Sequence, residues 1–229
     1  MIPVLHEDAD VLAVDKPAGV VVIPARDEAP GESLRHRLEA ERGERLWVVH
    51  RIDRDTTGVV LFARNADAHR ALSLAFEHRR AEKTYLALTR GVPTAREGVI
   101  DVALHSARKG KMRPIFPGER DGVEAVTAVR VLQEWKRAEG DVALVEAKPR
   151  TGRQHQVRVH LRYAGAPLLV DPLYSRTEQA VVGGVTLTRL SLHAHVLAVT
   201  WERGVLRVES PLAADLRAAV DALDGASPK

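Results

Sequence analysis

The chain contains no cysteine among its 229 residues. Disulfide bonds, thiolate metal sites and cysteine nucleophiles are therefore excluded, and a reducing compartment is expected. No apolar run approaches the ~20 residues that a transmembrane helix needs. Residues 1–8 also lack the basic and apolar regions of a secretory signal. These absences predict a cytoplasmic protein that is not attached to a membrane.

Aromatic residues are scarce, at 4% of the chain. Common binders of single-stranded RNA stack bases on aromatic-rich strands, so this composition does not favour a binding module of that kind. Histidines are more numerous, but pairs such as His155 and His160, or His193 and His195 with Asp171, do not match a tight metal motif such as H-E-x-x-H. We therefore predict no metal site.

The remaining composition is that of an ordinary folded chain, with 45% hydrophobic and 28% charged residues. The net charge of +3 and the pI of 9.4 weakly favour an anionic partner. Basic residues concentrate at positions 105–122, where glycines and prolines predict a loop. Such a loop is suited to contacting phosphates through Lys109, Lys111 and Arg113. A solvated hairpin tip is the alternative.

Short apolar runs bounded by turn residues predict many strands, at 11–14, 20–23, 58–63, 84–89, 99–104, 125–132, 142–147, 196–201 and 205–209. Helical periodicity occurs at 33–42, 67–80 and 212–223. Residues 154–164 suit a strand equally by their alternation, and we choose a helix because Gly165 and Pro167 form a helix-stop signal. We read 25–31 and 176–184 as surface loops. This order of elements predicts an α+β fold with a mixed, largely antiparallel sheet and flanking helices. We expect a single domain over residues 1–229, with a disordered tail at 225–229.

The most informative segment is V-H-R-I-D-R-D-T-T-G-V-V-L at residues 49–61. Its first acid, Asp53, lies among His50, Arg51 and Arg54, directly before a Thr-Thr-Gly turn. Nearby positive charge favours the ionised form of a carboxyl group, which suits a nucleophile or a base. On spacing alone, a solvated charged turn before a strand is an equal alternative.

This segment resembles the H-R-L-D-x-x-T-S-G motif of the RluA-type pseudouridine synthases, with Ile52 for Leu and Thr57 for Ser. Three further stretches resemble motifs of that family in the same order: D-K-P-A-G at 15–19, K-T-Y-L-A-L at 83–88 and T-G-R-Q-H-Q-V-R-V-H-L at 151–161. A later family motif, G-D-x-x-Y-G, is replaced by V-D-P-L-Y-S at 170–175. The resemblance covers residues 2 to about 212 and implies a pseudouridine synthase-like catalytic domain without the upstream S4 RNA-binding module of many relatives.

The resemblance implies that Asp53 is the catalytic carboxylate, acting as a nucleophile at C1′ of the ribose or as a base at C2′. It further implies that Tyr85 stacks on uracil and helps to remove the C5 proton. Arg158 matches the arginine that forms a salt bridge with the catalytic carboxylate. This chemistry requires no cofactor. A glycosidase usually needs two cooperating acids, and no second acid lies in a comparable motif.

The same resemblance implies a set of substrate-binding residues. Val157 and Leu192 correspond to the apolar floor of the base pocket, and Arg51 to the residue that fills the gap left by a flipped base. We group His50 with these residues, and we leave Lys16 between RNA contact and a structural role. The expected partner is ribosomal RNA, slightly preferred over transfer RNA, bound by a monomer with no obligatory protein partner. A non-catalytic RNA-binding protein that retains the fold is the alternative.

Overall fold

A computed structural model describes residues 1–24, 32–116 and 118–225. The chain divides into two compact units. The first comprises Met1–Lys83 and His193–Pro211, and the second comprises Thr84–Leu192 and Leu212–Lys229. The predicted loop at 25–31 and residues 226–229 of the tail predicted at 225–229 lie outside the described residues. Gly225 is instead the last residue of a helix, so the prediction is wrong at that position. The expectation of a single domain stays a prediction. No helix within the described ranges is long and apolar enough to cross a membrane.

The described residues form fourteen strands, which in chain order are β1 (Val4–Glu7), β2 (Val11–Lys16), β3 (Trp47–Val48), β4 (Thr57–Ala63), β5 (Ala81–Arg90), β6 (Glu97–Asp101), β7 (Leu104–Ser106), β8 (Met112–Pro114), β9 (Val126–Trp135), β10 (Val142–Pro149), β11 (Ala180–Val182), β12 (Val185–Leu187), β13 (Leu192–Trp201) and β14 (Gly204–Glu209). They also form four α-helices: α1 (Leu34–Arg42), α2 (Ala66–Glu77), α3 (Gln156–Tyr163) and α4 (Ala214–Gly225). The predicted α+β class is confirmed.

In the first unit, β4 is the central strand. It pairs antiparallel with β2 and parallel with the start of β13, and β13 pairs antiparallel with β14. Every residue of β4 is buried, and its successive side chains pack to opposite sides. Val59 and Leu61 join the core that includes α2, whereas Val60 and Phe62 join the core that includes α1. A strand covered on both faces explains the continuous apolar run in the sequence.

The helix starts in this unit follow from local capping. The Ser33 side chain accepts a hydrogen bond from the His36 N–H, and the Asn65 side chain accepts one from the Ala68 N–H, so each satisfies a backbone donor in the first helical turn. Helix α2 ends at Glu77, three residues before the predicted end at 80. Arg79 has a left-handed φ of 57°, which does not continue a helix.

In the second unit, β10 pairs antiparallel with β5 on one side and with β9 on the other, and β6 pairs antiparallel with β9. Helix α4 packs into one apolar core of this unit, and α3 packs into another. Helix α3 begins at Gln156 rather than at 154 and ends before Gly165, whose φ of +81° stops the helix as the sequence predicts.

The predicted strand at 20–23 is wrong. Val20 and Val22 are buried in the core below α1, but the segment forms no strand. Its carbonyl groups accept hydrogen bonds from the start of α1, where the Leu34 N–H donates to Val21 O at 2.8 Å. The apolar residues therefore serve packing rather than strand pairing.

Two predicted loops contain hairpins. Residues 105–122 include the β7–β8 hairpin, whose tip is the 3₁₀ turn Arg108–Gly110. Residues 176–184 include β11, which pairs with β12 across Gly183 and Gly184. Both of these glycines have positive φ, 55° and 83°, as a two-residue type I′ hairpin requires. The Gly-Gly pair was thus a hairpin signal that the sequence reasoning missed.

Candidate active-site residues

Asp53 lies on a tight turn between β3 and β4 in the first unit. The Thr56 N–H donates to Asp53 O at 3.2 Å, which closes the turn around two exposed residues, Arg54 and Asp55. Asp53 itself is half-buried, and Thr57 begins the buried strand β4 directly after the turn. The acid is therefore carried on a short turn that is joined to the most buried strand of its unit.

Lys16 stabilises this turn through hydrogen bonds from its side chain to backbone carbonyl groups. Its side chain is fully buried, and Nζ donates to Pro17 O at 2.8 Å, Val20 O at 2.8 Å and Arg54 O at 2.6 Å. An ammonium group removed from water needs such acceptors, because an unsatisfied buried charge is very costly. One lysine thus joins the end of β2 to the residue after Asp53. This geometry supports the structural role of Lys16 over RNA contact.

The start of β4, directly after the turn, is fixed by its contacts with the neighbouring strand β13. The Thr57 hydroxyl forms a hydrogen bond with His193 Nδ1 at 2.9 Å, and His193 Nε2 donates to Ser210 O at 3.2 Å. A carbonyl oxygen only accepts, so Nε2 carries a hydrogen. Gly58 has a φ of +111°, and a Cβ there would lie 2.1 Å from Ala194 O. Gly58 of the motif therefore allows β4 to approach β13 very closely, and Thr57 forms a hydrogen bond across the same contact.

His50 is directed into the protein. Its Nε2 accepts a hydrogen bond from the Leu61 N–H at 2.9 Å, and its ring stacks on Phe76 with a centroid distance of 5.0 Å. Burial, together with the nearby Lys83 ammonium, lowers the pKa of His50 to about 3. At neutral pH the imidazole is therefore uncharged. This differs from the expectation that His50 adds positive charge beside Asp53.

The low pKa of His50 predicts a specific pH dependence of stability. Between pH 6.5, the ordinary pKa of histidine, and about pH 3, the unfolded chain binds a proton at His50 that the folded chain does not. Lowering the pH through this window therefore favours unfolding by about 1.4 kcal/mol per pH unit. His50→Gln keeps a hydrogen-bond acceptor without this titration. Urea unfolding from pH 6 to pH 4 should show the wild type losing stability relative to the variant.

The exposed His78 provides a matched control for this measurement. His78→Gln makes the same substitution at an exposed position and is measured beside His50→Gln. If His50→Gln and the wild type give parallel curves of unfolding free energy against pH, the neutral state assigned to His50 is wrong.

In the second unit, three of the expected residues share one apolar cluster. Tyr85 lies on β5 opposite Ala147 of β10 and packs against the core that contains Val157 and Leu192. Val157 is 6% exposed and Leu192 is 3% exposed, whereas Tyr85 is half-buried. Tyr85 therefore lies at the margin of a buried apolar cluster.

Arg158 projects from α3 and is buried. Its Nε donates to Asp171 Oδ2 at 2.9 Å and its Nη2 donates to Asp171 Oδ1 at 2.8 Å, a two-pronged ion pair. The guanidinium also lies over the Tyr174 ring, 5.0 Å from its centroid. The sequence reasoning missed Asp171 and Tyr174, although both stand in the 170–175 motif. Arg158 and Asp53 belong to different units, and their expected salt bridge stays a prediction.

The remaining expected residues lie at or near the surface. Arg51 is exposed on the segment that leads to Asp53. Lys111 and Arg113 are half-exposed on the β7–β8 hairpin, and the Lys109 side chain lies outside the described part of the structure. Arg113 Nη1 pairs with Glu119 Oε2 at 2.6 Å, and this hydrogen bond raises the pKa of Arg113. Within the described ranges, no cluster of three or more histidine or acidic side chains could hold a metal ion.

Comparison with known proteins matches the chain to one family. The family model of RNA pseudouridylate synthases matches residues 10–163. An uncharacterised RNA pseudouridine synthase of Zymomonas mobilis is 37% identical over 214 residues, which cover 91% of this chain and 93% of that protein. Ribosomal large subunit pseudouridine synthase D of Nitrosomonas europaea is 33% identical over 96% of this chain and 64% of that protein.

A solved structure agrees with the sequence relatives. The structure of human RNA pseudouridylate synthase domain containing 4 matches with a TM-score of 0.77 and 28% identity, covering 97% of this chain and 93% of that one. Fold, motifs and relatives therefore coincide over nearly the whole chain. The chain belongs to the RluA-type family of RNA pseudouridine synthases, the isomerases that convert uridine in RNA to pseudouridine.

Proposed function

We propose that this enzyme isomerises specific uridines in structured RNA and that Asp53 is its catalytic carboxylate. The observation that carries this proposal is the anchoring of the Asp53 turn. A fully buried ammonium group, Lys16, binds the carbonyl of the next residue, and a glycine-dependent strand contact follows at Gly58. A merely solvated charged turn would not need such support, whereas catalysis requires a reactive group held within a fraction of an ångström.

The reaction needs a carboxylate and no redox step. The bond between N1 of uracil and C1′ of ribose breaks, the base turns, and a bond forms between C5 and C1′. The hydrogen on C5 then leaves as a proton and N1 gains one, so atoms and charge balance. Asp53 serves either by attacking C1′ or by removing the C2′ proton. Both routes need an ionised carboxylate in a position fixed relative to the ribose.

We propose that Tyr85 stacks on the uracil base. In support of this role, its side chain borders the apolar cluster of Val157 and Leu192. The assignment to proton transfer at C5 is tested by Tyr85→Phe, which keeps the ring and removes the hydroxyl. If the hydroxyl is the base, the rate of C5 proton release should fall by about 100- to 10,000-fold. Base cleavage and rejoining should continue, so that the C5-linked intermediate accumulates.

The readout is tritium release from RNA labelled at C5, compared with total conversion of the base measured by chromatography of the digested nucleosides. Tyr85→Leu, which lacks the ring as well, is the matched variant for stacking. A Tyr85→Phe enzyme that releases tritium at nearly the wild-type rate would limit Tyr85 to stacking.

We further propose that the target uridine is flipped out of the RNA and that Arg51 occupies the gap. Extruding a base costs a few kcal/mol, and least where the base is already unpaired. The exposed Arg51 precedes Asp53 by two residues, and a planar guanidinium both stacks on bases and pairs with phosphate. Arg51→Ala should therefore slow turnover on a paired stem by roughly tenfold or more, and on an unpaired target much less.

Arg54 on the same turn is also exposed, so Arg54→Ala provides a matched loss of charge. A 2-aminopurine placed beside the target should brighten less with Arg51→Ala than with either the wild type or Arg54→Ala. Equal rate losses on paired and unpaired RNA, with unchanged fluorescence, would mean that Arg51 acts only through its charge.

For the substrate we favour ribosomal RNA over transfer RNA. The Nitrosomonas relative is named for the large ribosomal subunit, and it matches 96% of this chain. Lys111 and Arg113 on the β7–β8 hairpin are candidates for phosphate contacts. The alternative, a non-catalytic RNA-binding protein, is disfavoured because Asp53, Tyr85 and Arg158 are all retained. The monomeric state and the cytoplasmic location stay predictions.

A further inference from the structure

Asp171 is a buried acid whose carboxylate contacts both Arg158 and the backbone of the turn that follows it. It is 1% exposed, and its two carboxylate oxygens accept hydrogen bonds from Nε and Nη2 of Arg158. Its Oδ1 also accepts the Leu173 N–H and the Tyr174 N–H, each at 3.0 Å. The backbone turn 171–174 therefore holds the carboxylate, and the carboxylate holds one edge of the guanidinium.

The ring of Tyr174 packs against the flat face of the same guanidinium. Its ring centroid lies 5.0 Å from Cζ of Arg158, a cation–π distance. Its hydroxyl accepts the Met112 N–H of β8 at 2.8 Å and lies 2.8 Å from Nδ1 of His155. His155 has a left-handed φ of 54° and directly precedes α3, the helix that carries Arg158. The tyrosine thus contacts Arg158, the start of its helix and the basic hairpin.

We infer that Asp171 and Tyr174 are positioning residues for Arg158, Asp171 by fixing one edge of the guanidinium and Tyr174 by fixing its plane. This inference rests on the catalytic role that the family resemblance implies for Arg158, which we propose here for this enzyme. A guanidinium is planar, so its orientation is set once one edge and one face are held. The other edge then points in a fixed direction before any substrate binds, and such preorganisation is what makes an electrostatic contact useful in catalysis.

The inference distinguishes the two parts of Tyr174. Tyr174→Phe keeps the ring below Arg158 and removes the hydroxyl that meets the hairpin. It should preserve the single-turnover rate constant and weaken RNA binding. Tyr174→Leu keeps an apolar side chain but removes the ring face, so it should lower the rate constant itself. If Tyr174→Phe and Tyr174→Leu lower the rate constant equally, the ring does not orient Arg158.

The decisive experiment is a double-mutant cycle on the full chain, using single-turnover tritium release from C5-labelled RNA. Asp171→Asn keeps an acceptor for the turn amides but removes the charge and one arm of the ion pair. We expect it to slow turnover by on the order of 100-fold, because a displacement of about 1 Å costs about that much. The Kd for RNA should change little. In an Arg158→Lys background, Asp171→Asn should cause little further loss of rate.

A second two-pronged pair in the same unit provides the control. Arg189 contacts Asp215 through Nε at 2.7 Å and Nη2 at 2.6 Å. Asp215→Asn should lower the Tm without lowering the rate constant. Should Asp171→Asn fail to fold, Asp171→Glu keeps the charge but displaces the carboxylate, and it should still slow turnover.

The outcomes separate the inference from the proposal on which it rests. Rate losses of Asp171→Asn and Arg158→Lys that simply multiply in the double variant would overturn the inference and leave the role of Arg158 intact. So would an Asp171→Glu variant with the wild-type rate. A wild-type rate in Arg158→Lys alone would instead refute the role proposed for Arg158, and the inference would fail with it.

Discussion

Asp53→Asn should abolish tritium release from RNA that is labelled at C5 of uracil, while RNA binding is retained. Asparagine keeps the size and much of the hydrogen bonding of the acid but has neither its charge nor its nucleophilicity. Removing a positioned base costs about 100- to 10,000-fold in rate. The turn should persist, since the Thr56 N–H bonds to the backbone oxygen of residue 53 and Lys16 bonds to that of Arg54.

Asp55 offers a matched control on the same turn. It is exposed, two residues beyond Asp53, and carries the same charge. Asp55→Asn should turn over RNA at nearly the wild-type rate. If Asp53→Asn retains a rate within about tenfold of the wild type, well short of the loss expected for a base, Asp53 is not the catalytic carboxylate.

Gly58→Ala should be among the most damaging single substitutions outside the reacting groups. A Cβ at this position would lie 2.1 Å from Ala194 O, and the φ of +111° is unfavourable for any residue with a side chain. Strain of this kind and overpacking each cost about 1–3 kcal/mol. The free energy of unfolding should therefore fall by about 2–6 kcal/mol. Because Gly58 follows the Asp53 turn closely, surviving folded enzyme should also turn over more slowly.

A substitution at Gly204 separates the cost of backbone strain from the cost of overpacking. It lies in the same unit with a nearly equal φ of +108°, yet no heavy atom stands within 4 Å of a Cβ placed there. Gly204→Ala should therefore show the backbone strain alone, with turnover unaffected. Chemical denaturation of both variants measures the difference. Equal destabilisation by the two substitutions would contradict the close contact between β4 and β13.

Much of the fold was predictable because its signals are local. Residues such as Ser33 and Asn65 mark helix starts by capping backbone donors, and the hairpin at 202–204 is visible as a turn between two apolar runs. The error at 20–23 arose where apolar residues pack without pairing. Burial and strand formation give the same pattern in a short run, and only the neighbouring helix distinguishes them.

The candidate site was predictable as a set of motifs but not as a set of environments. Nothing local indicates that Lys16 is fully buried or that His50 is uncharged, because both depend on residues distant in sequence, Arg54 and Lys83 among them. The Arg158–Asp171 pair spans thirteen positions, and its two-pronged geometry depends on how the 171–174 turn folds against α3. Charge and burial are tertiary properties, so the chemical states of these residues required the structure.

The central claim is that this chain forms pseudouridine in RNA through Asp53. The most direct test maps pseudouridine in total RNA from cells that lack the protein and from cells that regain either the wild type or Asp53→Asn. At least one uridine, expected in ribosomal RNA, should lose its modification in the deletion and regain it only with the wild type. An unchanged pseudouridine map in the deletion, or full restoration by Asp53→Asn, would contradict the claim.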